Sequence, residues 1–332
     1  MSYTTKLFIG PMSLNIVNVV IDFCEKNSIN IGLIPSRRQI DFASGYVNNW
    51  KTATFIEYIR NKSKLIVLQR DHGGPYQGDI RDDGFTSLAY DAYNGFDLIH
   101  IDPWKKCTSI KEASIATATH IKSCYSVNAD CEYEIGTEEA IREYQPEEFD
   151  LFIKLIKKRL NSNQWNKVKY GVIQSGTKLS SGQNTGTFDK KRLKQMIDVC
   201  NKHGLLSKEH NGDYLDQNQI EIRFKNGLDS INIAPEIANI ESSVLMENHK
   251  IKDAIFSECV KSNRWKKWFP KDFDPYKNKE SVVLICGHYV YSNPKISDMI
   301  KDAKLSEEIN HKIETGISRI LTAIHTPPYT IP

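Results

Sequence analysis

Strand-like and helix-like stretches alternate eight times along about the first 250 residues, and this constrains the fold more than any single motif. Strand-like stretches fall at 7–9, 29–34, 65–68, 98–101, 129–135, 168–173, 205–209 and 230–233. Helical patterning follows them at 15–26, 53–61, 85–93, 110–125, 146–160, 190–202, 217–225 and 240–246. Such alternation with short connections implies parallel strands and right-handed crossovers. Eight units predict an α/β fold, a closed (β/α)8 TIM barrel over residues 1–248. An open doubly wound sheet would normally carry a glycine-rich phosphate turn after its first strand. Gly10-Pro11-Met12-Ser13 stands there instead, and no G-x-G-x-x-G or Walker pattern occurs in a suitable context.

The tail, 249–332, breaks the alternation. It reads as an α-rich C-terminal extension packed on the barrel, or as an assembly surface. Its stretch 270–279, rich in Lys, Asp and Pro, reads as a surface loop. The 44 basic and 41 acidic side chains leave a net charge of +3, too small to imply nucleic acid or a membrane surface as partner. The basic run Arg264-Trp265-Lys266-Lys267-Trp268 reads as a solvated helix face or end. No apolar run approaches the roughly 20 residues of a membrane span. The opening residues 1–6 lack a signal-peptide core, and the seven cysteines form no C-x-x-C. A cytoplasmic protein with reduced thiols is the expectation.

In a barrel the C-terminal strand ends converge on one mouth. After the second strand-like stretch come Arg37, Arg38 and Gln39; after the third, Asp71-His72-Gly73-Gly74-Pro75. The fourth offers His100 and Asp102, the fifth Glu132, Glu134 and Glu138, and the sixth Gln174. Glu209-His210 and Asp213 follow the seventh, and Asn232 lies in the eighth. So many polar groups are expensive to bury unpaired, which points to a site rather than to packing. Imidazoles and a carboxylate from separate strands suit a divalent cation, Zn²⁺ first, with an open position. His72, His210 and Glu134 are the candidate ligands. Asp71, with Glu134, is the candidate for moving a proton. Arg37, Arg38, Gln39, Asp102, Gln174, Asp213 and Asn232 are candidates for substrate binding, the two arginines as a phosphate or carboxylate clamp. The glycine-bracketed stretch 180–187 reads as a surface loop, with a substrate lid as the alternative.

Asp71-His72-Gly73-Gly74-Pro75, Ile99-His100-Ile101-Asp102, the run 132–138, Glu209-His210 with Asp213-Tyr214, and Gly45-Tyr46 occur in an order that resembles the tagatose-bisphosphate aldolase class II non-catalytic subunit family. The resemblance spans residues 10–246. It implies a (β/α)8 barrel related to zinc-dependent class II aldolases. It also implies a proton-shuttling role for Asp71, metal-binding roles for His72 and His210, a metal-site role for Glu134, and substrate contact for Asn232. Two departures stand out. Gln174 occupies the place of the remaining zinc histidine, and Asp213 falls where a glycine–serine turn would hold phosphate.

Three functions remain open. One is a metal-dependent aldolase-like carbon–carbon lyase acting on a phosphorylated sugar or keto-acid in carbohydrate metabolism. Another is a non-catalytic stabilising subunit of a class II sugar-bisphosphate aldolase. The third is a sugar-phosphate isomerase or epimerase. The partners implied are a small-molecule sugar and either further copies of the chain or a catalytic aldolase subunit.

Overall fold

The computed structural model describes residues 4–180 and 182–325; residues 1–3 and 326–332 and Ser181 of the 180–187 stretch lie outside the described residues. The eight predicted strands form a closed parallel barrel. They are β1 (Leu7–Ile9), β2 (Ile31–Leu33), β3 (Ile66–Gly73), β4 (Leu98–Ile101), β5 (Glu132–Ile135) and β6 (Val168–Ile173). Two short antiparallel strands, β7 (Leu179–Ser180) and β8 (Gln183–Asn184), follow, so part of the 180–187 stretch is paired strand, while 185–187 has no regular structure. Strands β9 (Leu206–Glu209) and β10 (Ser230–Ile233) complete the barrel, β10 pairing with β1 to close it.

The helices α1 (Leu14–Asn27), α2 (Thr52–Arg60), α3 (Phe85–Asn94), α4 (Ile110–Val127) and α5 (Pro146–Lys157) alternate with the strands. A short α6 (Ser162–Trp165), then α7 (Lys190–His203), α8 (Gln217–Lys225) and α9 (Pro235–Glu247), continue the pattern. Their starts are written locally. Ser13, Ser109, Asp189 and Asp216 each accept a backbone N–H of the first helical turn, as N-caps do. Apolar strand side chains between sheet and helices form the main core, including Ile9, Leu33, Leu68, Ile101, Ile135 and Ile233.

The tail supplies α10 (His249–Ser262), a 3₁₀ turn at Arg264–Lys267, α11 (Lys279–Cys286), α12 (Pro294–Asp302) and α13 (Ser306–His325). Of the apolar run 282–285, Val282, Val283 and Ile285 are buried on α11. Helix α13 lies against α1, α8 and α9. The helix between α8 and α1 in the outer ring therefore comes from the tail. Among the described residues no helix is long and apolar enough to cross a membrane, and all seven cysteines are unpaired.

Candidate active site

Alternation along the strands sorts the barrel interior into three levels. At the bottom Phe8, Leu98, Tyr170, Val67 and Leu206 form a small apolar cluster of their own. Gly32 makes room for it: a Cβ there would stand 1.9 Å from the Phe8 ring. Above this floor lies a buried polar level. Gln69 donates to Glu134 at 3.0 Å, and the Lys208 ammonium stands 3.1 Å from Glu134 and 3.2 Å from the Phe8 ring centre. Lys208 also donates to Gln69. Burial pulls the Lys208 pKa down to about 8 even though Glu134 opposes it. Burial alone would raise Glu134, but Lys208, His210 and His100 outweigh it and hold the carboxyl well below the usual range. Glu134 is thus a fixed anion beneath the mouth.

The third level holds His72, His100 and His210, with ring centres 4.8–5.3 Å apart. Asp71 joins them: one donor atom from each of these four residues lies within 4.8 Å of the others. Each ring is held by its far nitrogen. His72 Nδ1 contacts Asp102 at 2.7 Å, His210 Nε2 contacts Glu134 at 2.7 Å, and His100 Nε2 contacts the Gly136 carbonyl at 3.1 Å. Thr137 donates to the same Asp102 oxygen at 2.9 Å. A carboxylate or carbonyl behind each imidazole is the arrangement that fixes metal-binding histidines in tautomer and orientation. The nitrogens facing the cluster, of which His100 Nδ1 accepts the His72 backbone N–H at 3.3 Å, form with the carboxylate beside them a donor set that fits Zn²⁺ or a related divalent ion.

The backbone is bent to aim His72. The β3–β4 register shifts between Arg70 and Gly73, and His72 has φ 44°. A non-glycine residue in that region costs on the order of 1–3 kcal/mol and is retained where the surroundings enforce it. An irregularity of this kind re-aims a side chain at a strand end. Burial would depress the His72 pKa, but Asp71, Asp102 and Glu138 outweigh burial and push it up to about 10. Burial takes His100 the other way, down to about 4.

Over the cluster is a cavity of about 50 Å³ lined by Asp71, His72, Glu138, His210, Asn211 and Asn232, among others. It lies at the base of a wider cleft of about 320 Å³ that shares Asp71, His72, Glu138 and Asn211. Asn232 is 4% exposed, and neither its amide nitrogen nor its oxygen has a hydrogen-bond partner among the described residues. The buried Asp71 Oδ1 is likewise without one. These are ready contacts for a polar ligand.

The residues singled out in the sequence are thus distributed unevenly. Asp71, His72, His210 and Asn232 face the cavity, while Asp102 and Glu134 stand behind the imidazoles. Arg38 and Gln39 line the wider cleft. Arg37 is buried and spent on Asp41 at 3.0 Å and Asp82 at 2.5 Å. Gln174 points elsewhere: it accepts from Tyr144 N and donates to the Thr137 and Arg142 carbonyls. Asp213 borders the small cavity, but one of its oxygens caps α9 through Ala234 N and Glu236 N; burial first of all pushes its pKa up to about 7.

The sequence places His100 and Glu138 at the mouth without giving either a role, and sequence reasoning passes over Lys208. The third imidazole comes from β4, where His100 pairs in register with Glu134. A signal for it existed: two-residue periodicity from Leu98 turns His100 inward.

No family model matches the chain, and no curated protein matches it by sequence. Solved structures do resemble it. A probable tagatose 6-phosphate kinase from Sinorhizobium meliloti superposes with TM-score 0.79 at 12% identity, over 96% of this chain and 100% of that one. A fructuronate-tagaturonate epimerase from Cohnella laeviribosi gives TM-score 0.64 at 9% identity, over 97% and 81%. An aldolase from Escherichia coli gives 0.54 at 12% identity, over 89% and 91%. At such identities the likeness establishes the fold alone: a (β/α)8 barrel with a helical C-terminal region.

Proposed function

We propose that the chain is a metal-dependent carbon–carbon lyase of the aldolase type, acting on a phosphorylated sugar or keto-acid. The observation that carries this reading is the set of three imidazoles, each backed by an acceptor, with the carboxylate of Asp71 among them. His72, His100 and His210 would hold the cation, Zn²⁺ first, with an open position completing the set. A bound divalent cation would polarise the carbonyl of the substrate. Asp102 and Glu134 keep their histidines oriented throughout.

Asp71 takes the proton of the hydroxyl on the carbon beyond the bond to be broken. That hydroxyl oxygen becomes an aldehyde, the carbon–carbon bond breaks, and its electron pair stays with the carbonyl-bearing fragment. The proton returns from Asp71 to the carbon of that fragment, so atoms and charge balance. Asn232 holds a substrate hydroxyl with its unpartnered amide. A general acid–base of this kind contributes about 10²–10⁴-fold.

A sugar epimerase is the second reading, and Glu138 favours it. Its carboxylate and that of Asp71 both stand 3.8 Å from His72 Nε2, so two carboxylates serve one cavity. The test incubates metal-loaded protein with hexulose phosphates, keto-acids and hexuronates and follows the products by NMR. Two carbonyl fragments support the lyase, and a single isomer supports the epimerase. Neither product with metal bound supports the non-catalytic subunit.

A further inference from the structure

Three cations border the wide cleft above the imidazoles: Arg38, Lys105 and Lys267. They come from three separate parts of the chain. Arg38 follows β2, Lys105 follows β4, and Lys267 ends the 3₁₀ turn of the tail. Among the described residues neither Lys105 nor Lys267 has a carboxylate within ion-pairing distance. Arg38 has only Asp79, at 3.4 Å. Asp79 also binds Arg264 of the tail at 2.6 Å, so one carboxylate ties the tail's basic turn to the rim beside Arg38.

Like charges gathered in a concavity repel one another, and this set bears the mark of it. Burial first, and then Arg38, pull the Lys267 pKa down to about 8; the same two causes lower Lys105. Lys267 is exposed to solvent where it borders the cleft. The tail lays Trp268 and Tyr289 beside it on the same wall, joined by a hydrogen bond of 3.1 Å. Cationic groups next to aromatic faces suit a sugar that ends in an anion.

We propose that Arg38, Lys105 and Lys267 form an anion subsite that binds the phosphate or carboxylate terminus of a sugar whose other end reaches the Asp71–His72 cluster. This rests on the proposed function only for where the other end lies. It makes the tail part of the substrate site and gives the basic turn a role that the bland reading, a solvated helix end, does not. The cleft of about 320 Å³ falls at the small end of ligand sites, which run from about 300 to 1,000 Å³, as a single sugar requires.

Calorimetry on the metal-free protein tests this, with fructose 6-phosphate, galacturonate and fructose as probes. At least one anionic sugar is expected to bind about tenfold or more tighter than fructose, since a charge-assisted contact is worth at least that. Lys267→Ala, Lys105→Ala and Arg38→Ala should each weaken that probe about tenfold, by the same measure. Lys266→Ala, one residue away on the exposed side, should not. Preference for the phosphate or for the carboxylate probe names the terminus. Equal binding of all three probes, or a Lys267→Ala protein that binds like the parent, overturns the subsite. Metal titration of the same proteins keeps the two ideas apart: a parent that holds the anion but no metal overturns the lyase and leaves the subsite standing.

Discussion

On the floor of the barrel mouth each imidazole is held from behind, whereas on the wall above it three cations face the cleft with almost nothing to hold them. His72, His100 and His210 each lean on a carboxylate or a carbonyl. Those supports are themselves fixed, Asp102 by Thr137 and the Trp104 amide, Glu134 by Gln69 and Lys208. On the wall, Arg38 alone has an ion pair, and a long one. The buried arginines elsewhere make the contrast sharper: Arg70 is fully satisfied by Asp91, at 2.7 and 2.8 Å, and by the Pro35 and Ile40 carbonyls. The chain can satisfy a cation when only structure is at stake. The floor is therefore organised to position atoms before a ligand arrives, and the wall to gain partners when one does.

Replacing His100 or His210 by alanine should break the floor outright. Metal binding and activity are expected to vanish together, read by calorimetry and by turnover, while affinity for an anionic sugar persists. Retained metal binding in both variants would mean that the imidazoles are not the ligands. Asp71→Asn comes next. It should leave the metal in place but lower turnover by about 10²–10⁴-fold, the range of general acid–base help. A turnover within a few fold of the parent would take the proton transfer away from Asp71.

The supports behind the rings make a smaller and more diagnostic test. Asp102→Asn and Glu134→Gln should each lower metal affinity by about 10–100-fold, because each only orients its imidazole. Metal competition assays measure this directly. Lys208→Met acts through Glu134 and adds a stability signature. It removes the cationic partner of a buried carboxylate that keeps Gln69 and His210, at a cost of up to about 3–5 kcal/mol, which chemical denaturation reads. Unchanged stability would mean that Lys208 is not what holds the Glu134 charge.

The barrel was legible in the sequence because short strand-like stretches, most of them apolar, alternate eight times with the amphipathic patterns of the helices that cover them. Even the edges came close: 98–101, 168–173 and 230–233 coincide with β4, β6 and β10. The strand-end rule brought Asp71, His72, His210 and Asn232 to one mouth. It brought His100 to the mouth as well but gave it no ligand role, because His100 sits inside a strand, where inward orientation decides and end position does not. Nor did it find that Arg37 and Gln174 are occupied. Their partners, Asp82 and the Thr137 and Arg142 carbonyls, lie 45, 37 and 32 residues away along the chain. The tail's share in the cleft was hidden for the same reason. Nothing local in Arg264–Trp268 tells a solvated turn from a turn laid over a barrel mouth.

The smallest effect, and the one that sets floor against wall most directly, is in pH. Without metal the His72 ring is held protonated up to about pH 10, chiefly by Asp71 against the pull of burial. A metal must displace that proton, so affinity rises with pH, by up to about tenfold per unit below that value. The same proton contributes folding stability that is complete below the ordinary histidine value of 6.5 and is lost as pH rises through about 10. On the wall the sign reverses. Lys267, drawn down to about 8 by burial and then by Arg38, loses its charge above that pH, and affinity for an anionic sugar falls. Metal and sugar titrations from pH 6.5 to 9.5 should therefore slope in opposite directions. The metal slope should flatten in Asp102→Asn, which weakens the hold on the His72 proton. The sugar slope should flatten in Lys267→Ala, which removes the titrating group. Two slopes of the same sign would show that one set of groups controls both ligands, and that floor and wall are not separate devices.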